Sequence, residues 1–375
     1  MIHMKQHILI LLGLAVFWLQ SATADNWQII VSSNGSRQVN ELHSVSALAE
    51  NDVWAAGVSY NTERTLGSTL IEHWNGSGWS VVPSPNPSSF VNRINAVAAV
   101  SANDVWAVGT APTSTDTVLI LHWNGTAWSV VPNPTNGIPL INLAALAVIS
   151  ANDIWAVGSG LIGDESATAT LHWNGTAWRV IPSPNVGPEV DNSLAGVSAV
   201  SSNDIWAVGT QQPTNLTDPS TLILHWDGSA WTIVPNISPE GGHLLAAAAV
   251  TSDDVWATGY SELGTLAEHW DGTSWSIVQT PNIRGGEPLF LPSVVALNSN
   301  NVWAVGEFLQ TRFSRSLTLT EQWNGSSWVV VQSPNSGSDH NELFGVGATP
   351  GGTLWAVGTV YHHPRQRTLI ERKLP

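Results

Sequence analysis

A repeating grid of tryptophans constrains this chain more than any other feature of its sequence. The first tryptophan of each repeat lies in a phrase close to Val-Trp-Ala-Val-Gly, at Trp54, Trp106, Trp155, Trp206, Trp256, Trp303 and Trp355. The second lies in His-Trp-Asn/Asp-Gly, at Trp74, Trp123, Trp173, Trp226 and Trp270, and in Gln-Trp-Asn-Gly at Trp323. The third follows at Trp79, Trp128, Trp178, Trp231, Trp275 and Trp328, and Trp27 fits the same position. We number the repeat units 1 to 7 by the first tryptophan of each.

A period of roughly 50 residues is typical of β-propellers, in which each repeat forms one four-stranded blade. In unit 1 we predict strands at residues 42–49, 53–57, 69–74 and 79–82. The third and fourth strands of a unit are joined by Asn-Gly or Asp-Gly, which are typical of tight hairpin turns. The sequence therefore predicts an all-β fold, a seven-bladed β-propeller of four-stranded blades.

The two ends of the repeat array complement each other. Unit 7 ends after Thr-Leu-Ile-Glu at 368–371, the sequence that corresponds to a third strand, and it has no fourth strand of its own. The segment from Trp27 to Val31 has the sequence pattern of a fourth strand. The first, second and third strands that come before a fourth strand in the other units are not found before it. Pairing the two would complete the last blade and remove exposed strand edges. We therefore expect one closed domain over residues 25–375.

Residues 1–24 have the pattern of a secretory signal peptide. Lys5 precedes an apolar run at 8–19, and the small residues at 22–24 predict cleavage after Ala24. The apolar run is too short to span a bilayer, so we expect no membrane insertion after cleavage. The chain has no cysteine, which excludes disulfides and thiolate metal sites. We expect a secreted or extracytoplasmic protein that depends on packing for its stability.

The charge balance limits the classes of partner. The sequence has 28 acidic and 12 basic side chains, a formal net charge of −16. Binding of nucleic acid without sequence preference requires Lys and Arg to neutralise phosphates, so we expect no nucleic-acid partner. A net charge far from zero favours solubility, and we expect a monomer.

The repeated residues favour structural roles. A tryptophan that recurs at one strand position beside valine and isoleucine is best explained as a wedge between blades, although an indole face can also stack on a sugar. The repeated histidines at 73, 122, 172, 225 and 269 are metal-ligand candidates, but equivalent positions on different blades are too far apart to share one ion. The repeated aspartates are assigned to turns in the same way. We therefore expect no metal, no cofactor and no catalytic residue among them.

The variable loops carry the candidate ligand-binding residues. The loops between second and third strands share one face with the loops between units, and variation on a rigid frame is typical of binding surfaces. The candidates come from units 1, 6 and 7, which are neighbours in a closed ring: Tyr60, Arg64, Arg312, Phe313, Arg315, Tyr361, His362 and Arg365. Guanidinium and aromatic groups suit carboxylate or sulfate on an acidic polysaccharide, or an acidic protein surface. Chance clustering of solvated loop side chains is the alternative.

The loops of units 3 to 5 carry acids instead, at Asp164, Glu165, Glu189, Asp191, Asp218 and Glu240. This distribution predicts a variable face with one basic and one acidic side. A ligand of acidic character should then contact the side formed by units 6, 7 and 1.

The repeat text also resembles known propeller families. The phrase Asp-Val-Trp-Ala-Val-Gly at 104–109, followed by Leu-His-Trp-Asn-Gly-Thr-Ala-Trp at 121–128, resembles the kelch-type repeat and is similar to the tectonin-like propeller lectins. Galactose-oxidase-type enzymes share the propeller, but their copper site requires a cysteine that this chain lacks. The resemblance implies a fold much more than an activity.

The function that these observations favour is a secreted, non-enzymatic binding module or interaction scaffold. Its expected partner is an acidic glycan or an extracellular protein. The alternative is an exported polysaccharide-active enzyme, a lyase or hydrolase, with its site on the variable-loop face. Acids that converge deep in a funnel would favour the enzyme, whereas a shallow face without them would favour the binding module.

Overall fold

The computed structural model describes residues 27–113, 117–134, 141–215, 218–283, 286–310, 314–337, 340–363 and 365–375. In these ranges the regular structure consists of β-strands. None of the described residues belongs to a helix with the length and apolarity needed to cross a membrane. The expected leader, with its cleavage after Ala24, lies outside the described residues, as do Arg312 and Phe313.

Each repeat unit contributes consecutive strands. Strand β1 (Gln28–Ile29) precedes unit 1. Unit 1 has β2 (Val39–Ala49), β3 (Asp52–Tyr60), β4 (Gly67–Trp74) and β5 (Trp79–Val81), and unit 2 has β6 (Arg93–Ser101), β7 (Asp104–Thr110), β8 (Val118–Trp123) and β9 (Trp128–Val130). Unit 3 has β10 (Asn142–Ser150), β11 (Asp153–Ile162), β12 (Glu165–Trp173) and β13 (Trp178–Ile181). In units 4 to 7 they are β14 (Val190–Ser201), β15 (Asp204–Pro213), β16 (Ser220–Trp226), β17 (Trp231–Ile233), β18 (His243–Thr251), β19 (Asp254–Ser261), β20 (Gly264–Trp270), β21 (Trp275–Ile277), β22 (Glu287–Asn298), β23 (Asn301–Gln310), β24 (Arg315–Trp323), β25 (Trp328–Val331), β26 (Asn341–Ala348), β27 (Leu354–His362) and β28 (Arg365–Lys373).

The strands form five four-stranded sheets and one eight-stranded sheet. Units 2 to 6 each form a separate antiparallel sheet in chain order. Units 7 and 1 share the eight-stranded sheet, in the order β26-β27-β28-β2-β3-β4-β5, with β1 also on β28. The all-β propeller fold of four-stranded blades is confirmed, but the described residues form five separate four-stranded blades where the sequence predicted seven blades. The physical reason is one parallel pair, Val39 on β2 with Gln366 on β28, which joins the sheets where the two units meet.

The N-terminal strand pairs with the last strand of the chain. Gln28 is the partner of Arg372 and Ile29 the partner of Glu371 in antiparallel register. The backbone NH of Ile30 donates to the carbonyl of Ile370 at 2.8 Å. The segment from Trp27 to Val31 thus supplies the fourth strand that unit 7 lacks.

Two residues form each tight turn between a third and a fourth strand: a glycine with positive φ, and before it an Asn or Asp whose side chain accepts hydrogen bonds. In the turn of unit 3, Gly175 adopts φ = 88°, which favours glycine. Asn174 closes the turn with its side chain, because Oδ1 accepts hydrogen bonds from the backbone NH groups of Thr176 at 3.1 Å and Ala177 at 3.0 Å. The constant Asn/Asp-Gly pair therefore specifies the hairpin without further contacts.

The tryptophans form the contacts between neighbouring units. The indole of Trp54 is buried, with its ring centroid 5.3 Å from Trp123 and 5.6 Å from Trp128 of the next unit. The contact between units 7 and 1 has the same geometry, since Trp355 lies 5.2 Å from Trp74. The first and third tryptophans of every unit are buried, which assigns them to the core.

The repeated histidines and aspartates are paired within each unit. In unit 3, His172 Nε2 lies 2.8 Å from Asp153 Oδ1, and units 1, 2, 4 and 5 repeat the pair at 2.8–2.9 Å. In unit 6 an amide pair replaces it, because Gln322 Nε2 donates to Asn301 Oδ1 at 3.0 Å. These pairs tie the third strand to the first residue of the second strand, so the aspartates that the sequence assigned to turns begin strands instead. The described residues contain no group of three or more His, Asp or Glu arranged to hold a metal ion.

The first strands of all the repeat units surround a central channel. The channel has a volume of about 210 Å³ and is lined by residues 43–45, 95–97, 144–146, 195–197, 245–247, 292–294 and 344–346. Small side chains allow this approach: a Cβ added to Gly196 would lie only 2.6 Å from Ala246 Cα. The loop face around the channel is where the candidate residues lie.

Candidate functional site

A groove of about 530 Å³ lies on the loop face where units 7 and 1 meet. We call it the seam groove, and its lining residues are Val39, Thr62, Arg64, His340, Tyr361, His363, Arg365 and Gln366. The β27–β28 hairpin forms one wall, and the loop after β3 forms the other. The groove depends on the adjacency of the last and first units, so it exists only in the closed arrangement.

Three of the candidate residues line this groove together. Arg64 and Arg365 supply guanidinium groups, and Tyr361 supplies an aromatic ring. Arg365 is exposed. The ring of Tyr361 lies 5.7 Å from that of His340, edge to face. The arrangement can offer charged donors and an apolar face to one ligand.

Two other candidates have different surroundings. Tyr60 is buried beneath the groove, with its ring centroid 5.4 Å from Arg64 Cζ. The Tyr60 ring therefore makes a cation–π contact with the Arg64 guanidinium. His362 does not line the groove, and its Nε2 lies 3.4 Å from Ser336 Oγ. Tyr361 and His363, the residues on either side of His362 in the chain, do line the groove.

Arg315, the one unit 6 candidate that the structure describes, is not brought into the groove. Arg315 Nε donates to Gln310 Oε1 at 2.9 Å, across the end of its own hairpin. It does not line the seam groove. Arg312 and Phe313 lie outside the described residues. Among the described candidates, those that line the groove come from units 7 and 1.

Arg64 is partly neutralised by an acid. Its Nη2 donates to Glu41 Oε1 and to Gln366 Oε1, both at 2.8 Å. Burial acts to raise the pKa of Glu41, but His43 and Arg64 outweigh that effect and hold the pKa below its ordinary value. The charge available to a ligand is therefore concentrated on Arg365.

Three acids that our sequence reasoning missed, Glu41, Glu307 and Glu342, lie close enough to interact electrostatically, and Arg64 interacts with Glu342 as well. Burial, together with the negative charges of Glu307 and Glu41, raises the pKa of Glu342 to about 7. Burial also raises the pKa of Glu307. A signal existed in the sequence, because Glu41 and Glu342 occupy the same position of the repeat, opposite the ends of β3 and β27.

A smaller pocket of about 410 Å³ lies beside these acids at the mouth of the channel. Glu41, His43, Arg93, Asn95 and Phe344 are among its lining residues. His43 is held in place by Nδ1, 2.8 Å from the carbonyl of Ile94, and by Nε2, 3.3 Å from Glu41. The pocket thus combines one cation with one paired acid.

The four asparagines near the starts of first strands have structural roles. Asn40, Asn92, Asn192 and Asn341 are buried, and the Oδ1 of each accepts a hydrogen bond from the backbone NH of the loop before it, at 2.8–2.9 Å. They fix the loops between units.

The four-stranded sheets arranged around a channel define a β-propeller repeat protein. Two structures with a similar fold are of YCF48. The one bound to a D1 peptide has a TM-score of 0.58 at 15% identity, covering 93% of this chain and 95% of that one. The other, from Cyanidioschyzon merolae, has a TM-score of 0.55 at 14% identity, covering 92% and 98%. A fucose-specific lectin from Aleuria aurantia has a TM-score of 0.48 at 13% identity, covering 79% and 97–98% in two structures, the second with a TM-score of 0.49. No family model and no curated protein matches the chain.

Proposed function

We propose that this protein is a non-enzymatic β-propeller binding module whose seam groove binds an acidic glycan or an acidic protein surface. The observation that carries the proposal is the convergence of Arg64, Tyr361 and Arg365 on one cavity of about 530 Å³. These residues come from opposite ends of the repeat array. A guanidinium group binds carboxylate or sulfate through two parallel hydrogen bonds, and a neighbouring ring covers apolar surface of the ligand.

The proposal includes a ring of seven blades, in which the eight-stranded sheet comprises two blades joined at their loop ends. One parallel pair between β2 and β28 is a weak link compared with the antiparallel ladders within units 7 and 1. The contact of Trp355 with Trp74 repeats the contact of Trp54 with Trp123, which supports treating unit 7 and unit 1 as neighbouring blades. A kelch-like or tectonin-like origin of the repeat belongs to the same proposal. An experimental structure with five or six blades would contradict it.

We also propose that the protein is exported, cleaved after Ala24 and monomeric. The signal-like pattern of residues 1–24 and the net charge of −16 support this. N-terminal sequencing of protein recovered outside the producing cell should begin at residue 25. Light scattering after size exclusion should give the mass of one chain.

YCF48, whose fold is similar, is bound to a D1 peptide in one of its structures. That is an instance of peptide binding by a propeller of this kind. The ligand of the present chain follows from its own groove, because fold alone does not define a ligand.

The test is a screen of acidic and neutral glycans and peptides against residues 25–375, followed by calorimetry on any ligand found. Arg365→Ala should weaken binding at least tenfold, since a hydrogen bond to a charged group contributes about 1.5–3 kcal/mol. Binding should also weaken as salt rises. Arg179→Ala is the matched control, because Arg179 is an exposed arginine on β13 of unit 3. Unchanged binding by Arg365→Ala, or a ligand that maps to the acidic loops of units 3 to 5, would contradict the proposal.

A polysaccharide-active enzyme is the second candidate, and one observation favours it. Glu41, Glu307 and Glu342 converge, and a carboxyl with a pKa of about 7 suits a general acid at neutral pH. Under this hypothesis the purified protein should release reducing ends or unsaturated products from an acidic polysaccharide. Glu342→Gln should abolish that activity without loss of ligand binding. If no polysaccharide that binds in the groove yields a product, the enzyme hypothesis is excluded.

A further inference from the structure

A second cavity adjoins the seam groove and shares Arg365 with it. Its volume is about 540 Å³, and it is lined by residues 32–38, Asn40, Arg365 and Arg367. Three arginines, Arg37, Arg365 and Arg367, are among the residues that line this one space. We call it the arginine cavity.

The positive charge of the arginine cavity has no acidic partner among the described residues. No ion pair there involves Arg37, Arg365 or Arg367. Arg37 Nε donates to the neutral Ser68 Oγ at 3.3 Å. Arg365 and Arg367 are exposed, and the protein as a whole is strongly acidic. Three like charges around one space are unfavourable unless an anion compensates them.

The loop that forms the floor of the cavity is held in one conformation. Asn34 adopts φ = 56°, and its Oδ1 accepts a hydrogen bond from the backbone NH of Thr368 at 3.0 Å. Asn40 Oδ1 accepts a hydrogen bond from the NH of Gly35 at 2.9 Å. The backbone NH of Arg37 donates to Ser59 Oγ at 3.2 Å. A loop that is already ordered loses little conformational entropy when a ligand binds.

One acid, Glu72, contacts this loop, and it does not line the cavity. Ser32 Oγ donates to both of its carboxylate oxygens, at 2.7 and 2.9 Å, and Glu72 has no exposed surface. Burial raises its pKa, which favours the neutral form. Glu72 therefore orders the loop without supplying the missing counter-charge.

The number of donors indicates the chemistry of the ligand. A carboxylate has two oxygens, and one bidentate arginine can engage both of them. Three guanidinium groups offer more donors than one carboxylate can accept. A tetrahedral oxyanion presents three or four oxygens in different directions and carries a charge that several arginines can share.

We propose that the arginine cavity binds a tetrahedral oxyanion, the sulfate or phosphate ester of an acidic ligand. The inference rests on the proposed function in that the rest of the ligand occupies the seam groove. Because Arg365 lines both cavities, a ligand with its ring against Tyr361 can place an ester group in the arginine cavity. The ligand class is then a sulfated or phosphorylated compound rather than a carboxylated one.

The first experiment uses inorganic sulfate as the probe and residues 25–375 as the protein. Calorimetry and thermal unfolding should detect sulfate binding that acetate and chloride do not reproduce at equal ionic strength. Arg367→Ala should weaken sulfate binding at least tenfold. Arg367→Lys should recover only part of it, because lysine keeps the charge and loses the planar fork. Sulfate binding no tighter than acetate binding, or equal binding by Arg367→Ala, would overturn the proposal.

Matched variants separate this proposal from the proposed function. Arg64 lines only the seam groove, whereas Arg37 and Arg367 line only the arginine cavity. Arg64→Ala should therefore leave inorganic sulfate binding unchanged, as should the distant control Arg179→Ala. An acidic ligand that binds through Arg64 but shows no dependence on Arg367 would refute the oxyanion site and leave the proposed function standing. Sulfate binding that depends on Arg367, in a protein that binds no acidic glycan or peptide, would support the oxyanion site and contradict the proposed function.

Comparison of ligands with and without an ester group distinguishes a sulfate ester from a phosphate ester as the bound oxyanion. A sulfated disaccharide should bind more tightly than its desulfated form if the ligand is a sulfate ester, and phenyl phosphate should bind more tightly than sulfate if it is a phosphate ester. Phosphate binding should rise with pH around its second pKa near 6, whereas sulfate binding should not. Equal affinity for esterified and unesterified forms of both ligands would overturn the proposal.

Discussion

Replacement of Glu321 by leucine should stabilise the protein at neutral pH. Glu321 is fully buried on β24, and neither of its carboxylate oxygens has a hydrogen-bond partner among the described residues. Burial raises its pKa to about 8. Units 2 to 4 have leucine at the same position, Leu121, Leu171 and Leu224, each buried. The fold therefore already accommodates leucine at this place.

The expected magnitude follows from the raised pKa. The folded protein binds the proton of Glu321 more tightly than the unfolded chain, whose pKa is near the ordinary value of 4.5. The stability contributed by the proton is complete below pH 4.5 and is lost as pH rises through about 8. One pKa unit corresponds to about 1.4 kcal/mol, so the loss at neutral pH is of the order of 3 kcal/mol and at pH 5 less than about 1 kcal/mol.

Urea unfolding at pH 5 and pH 7.5 measures this effect. Glu321→Leu should raise the free energy of unfolding by about 4 kcal/mol at pH 7.5 and flatten its dependence on pH. Glu321→Gln separates charge from packing, because it removes the ionisation and keeps the shape. Glu63→Gln is the control, since Glu63 is exposed on the loop after β3. A Glu321→Leu protein that is no more stable at pH 7.5, with its pH dependence intact, would refute the reasoning.

Four further predictions concern the stability of the fold and its metal content. Deletion of Trp27 to Val31 should lower the melting temperature or cause aggregation, because β28 loses its partner and exposes an edge; a monomer of full stability would contradict this. Asp153→Ala should cost about 1–3 kcal/mol in urea unfolding, because His172 loses its partner at 2.8 Å. Asn174→Ala should cost about 1 kcal/mol, because two backbone NH groups lose their acceptor, and Arg179→Ala should cost almost nothing. Elemental analysis should find no stoichiometric zinc or copper, since the repeated imidazoles are already bonded to carboxylates; one tightly held equivalent would contradict the structural role.

The repeat text was sufficient to predict strands, turns and the pairing of the chain ends. These features depend on local signals, such as Asn174-Gly175 in a turn or the fourth-strand text after Trp27. The joining of two sheets into one could not be predicted. It depends on how closely Val39 and Gln366 approach, which is set by packing between units and leaves no pattern in either strand.

The candidate site was predictable in its location and less so in its details. Arg64, Tyr361 and Arg365 line one groove because adjacent units bring their loops together. Tyr60 was assigned to a loop, but β3 extends to it, so its side chain is buried. His362 is the last residue of β27 and does not line the groove, because its imidazole lies beside Ser336, with Nε2 3.4 Å from Ser336 Oγ.

The pairing of β1 with β28 determines the order in which the molecule can be completed during synthesis. The sheets of units 2 to 6 are built from consecutive strands, so each can form soon after it leaves the ribosome. The N-terminal strand is made first and must wait for β28, which is made last. Contacts between such distant residues form slowly, and the waiting edge is open to wrong partners in the meantime. A circular permutant that joins residue 375 to residue 27 and begins at Val39 would turn this late step into a local hairpin, and it should refold faster than the natural chain.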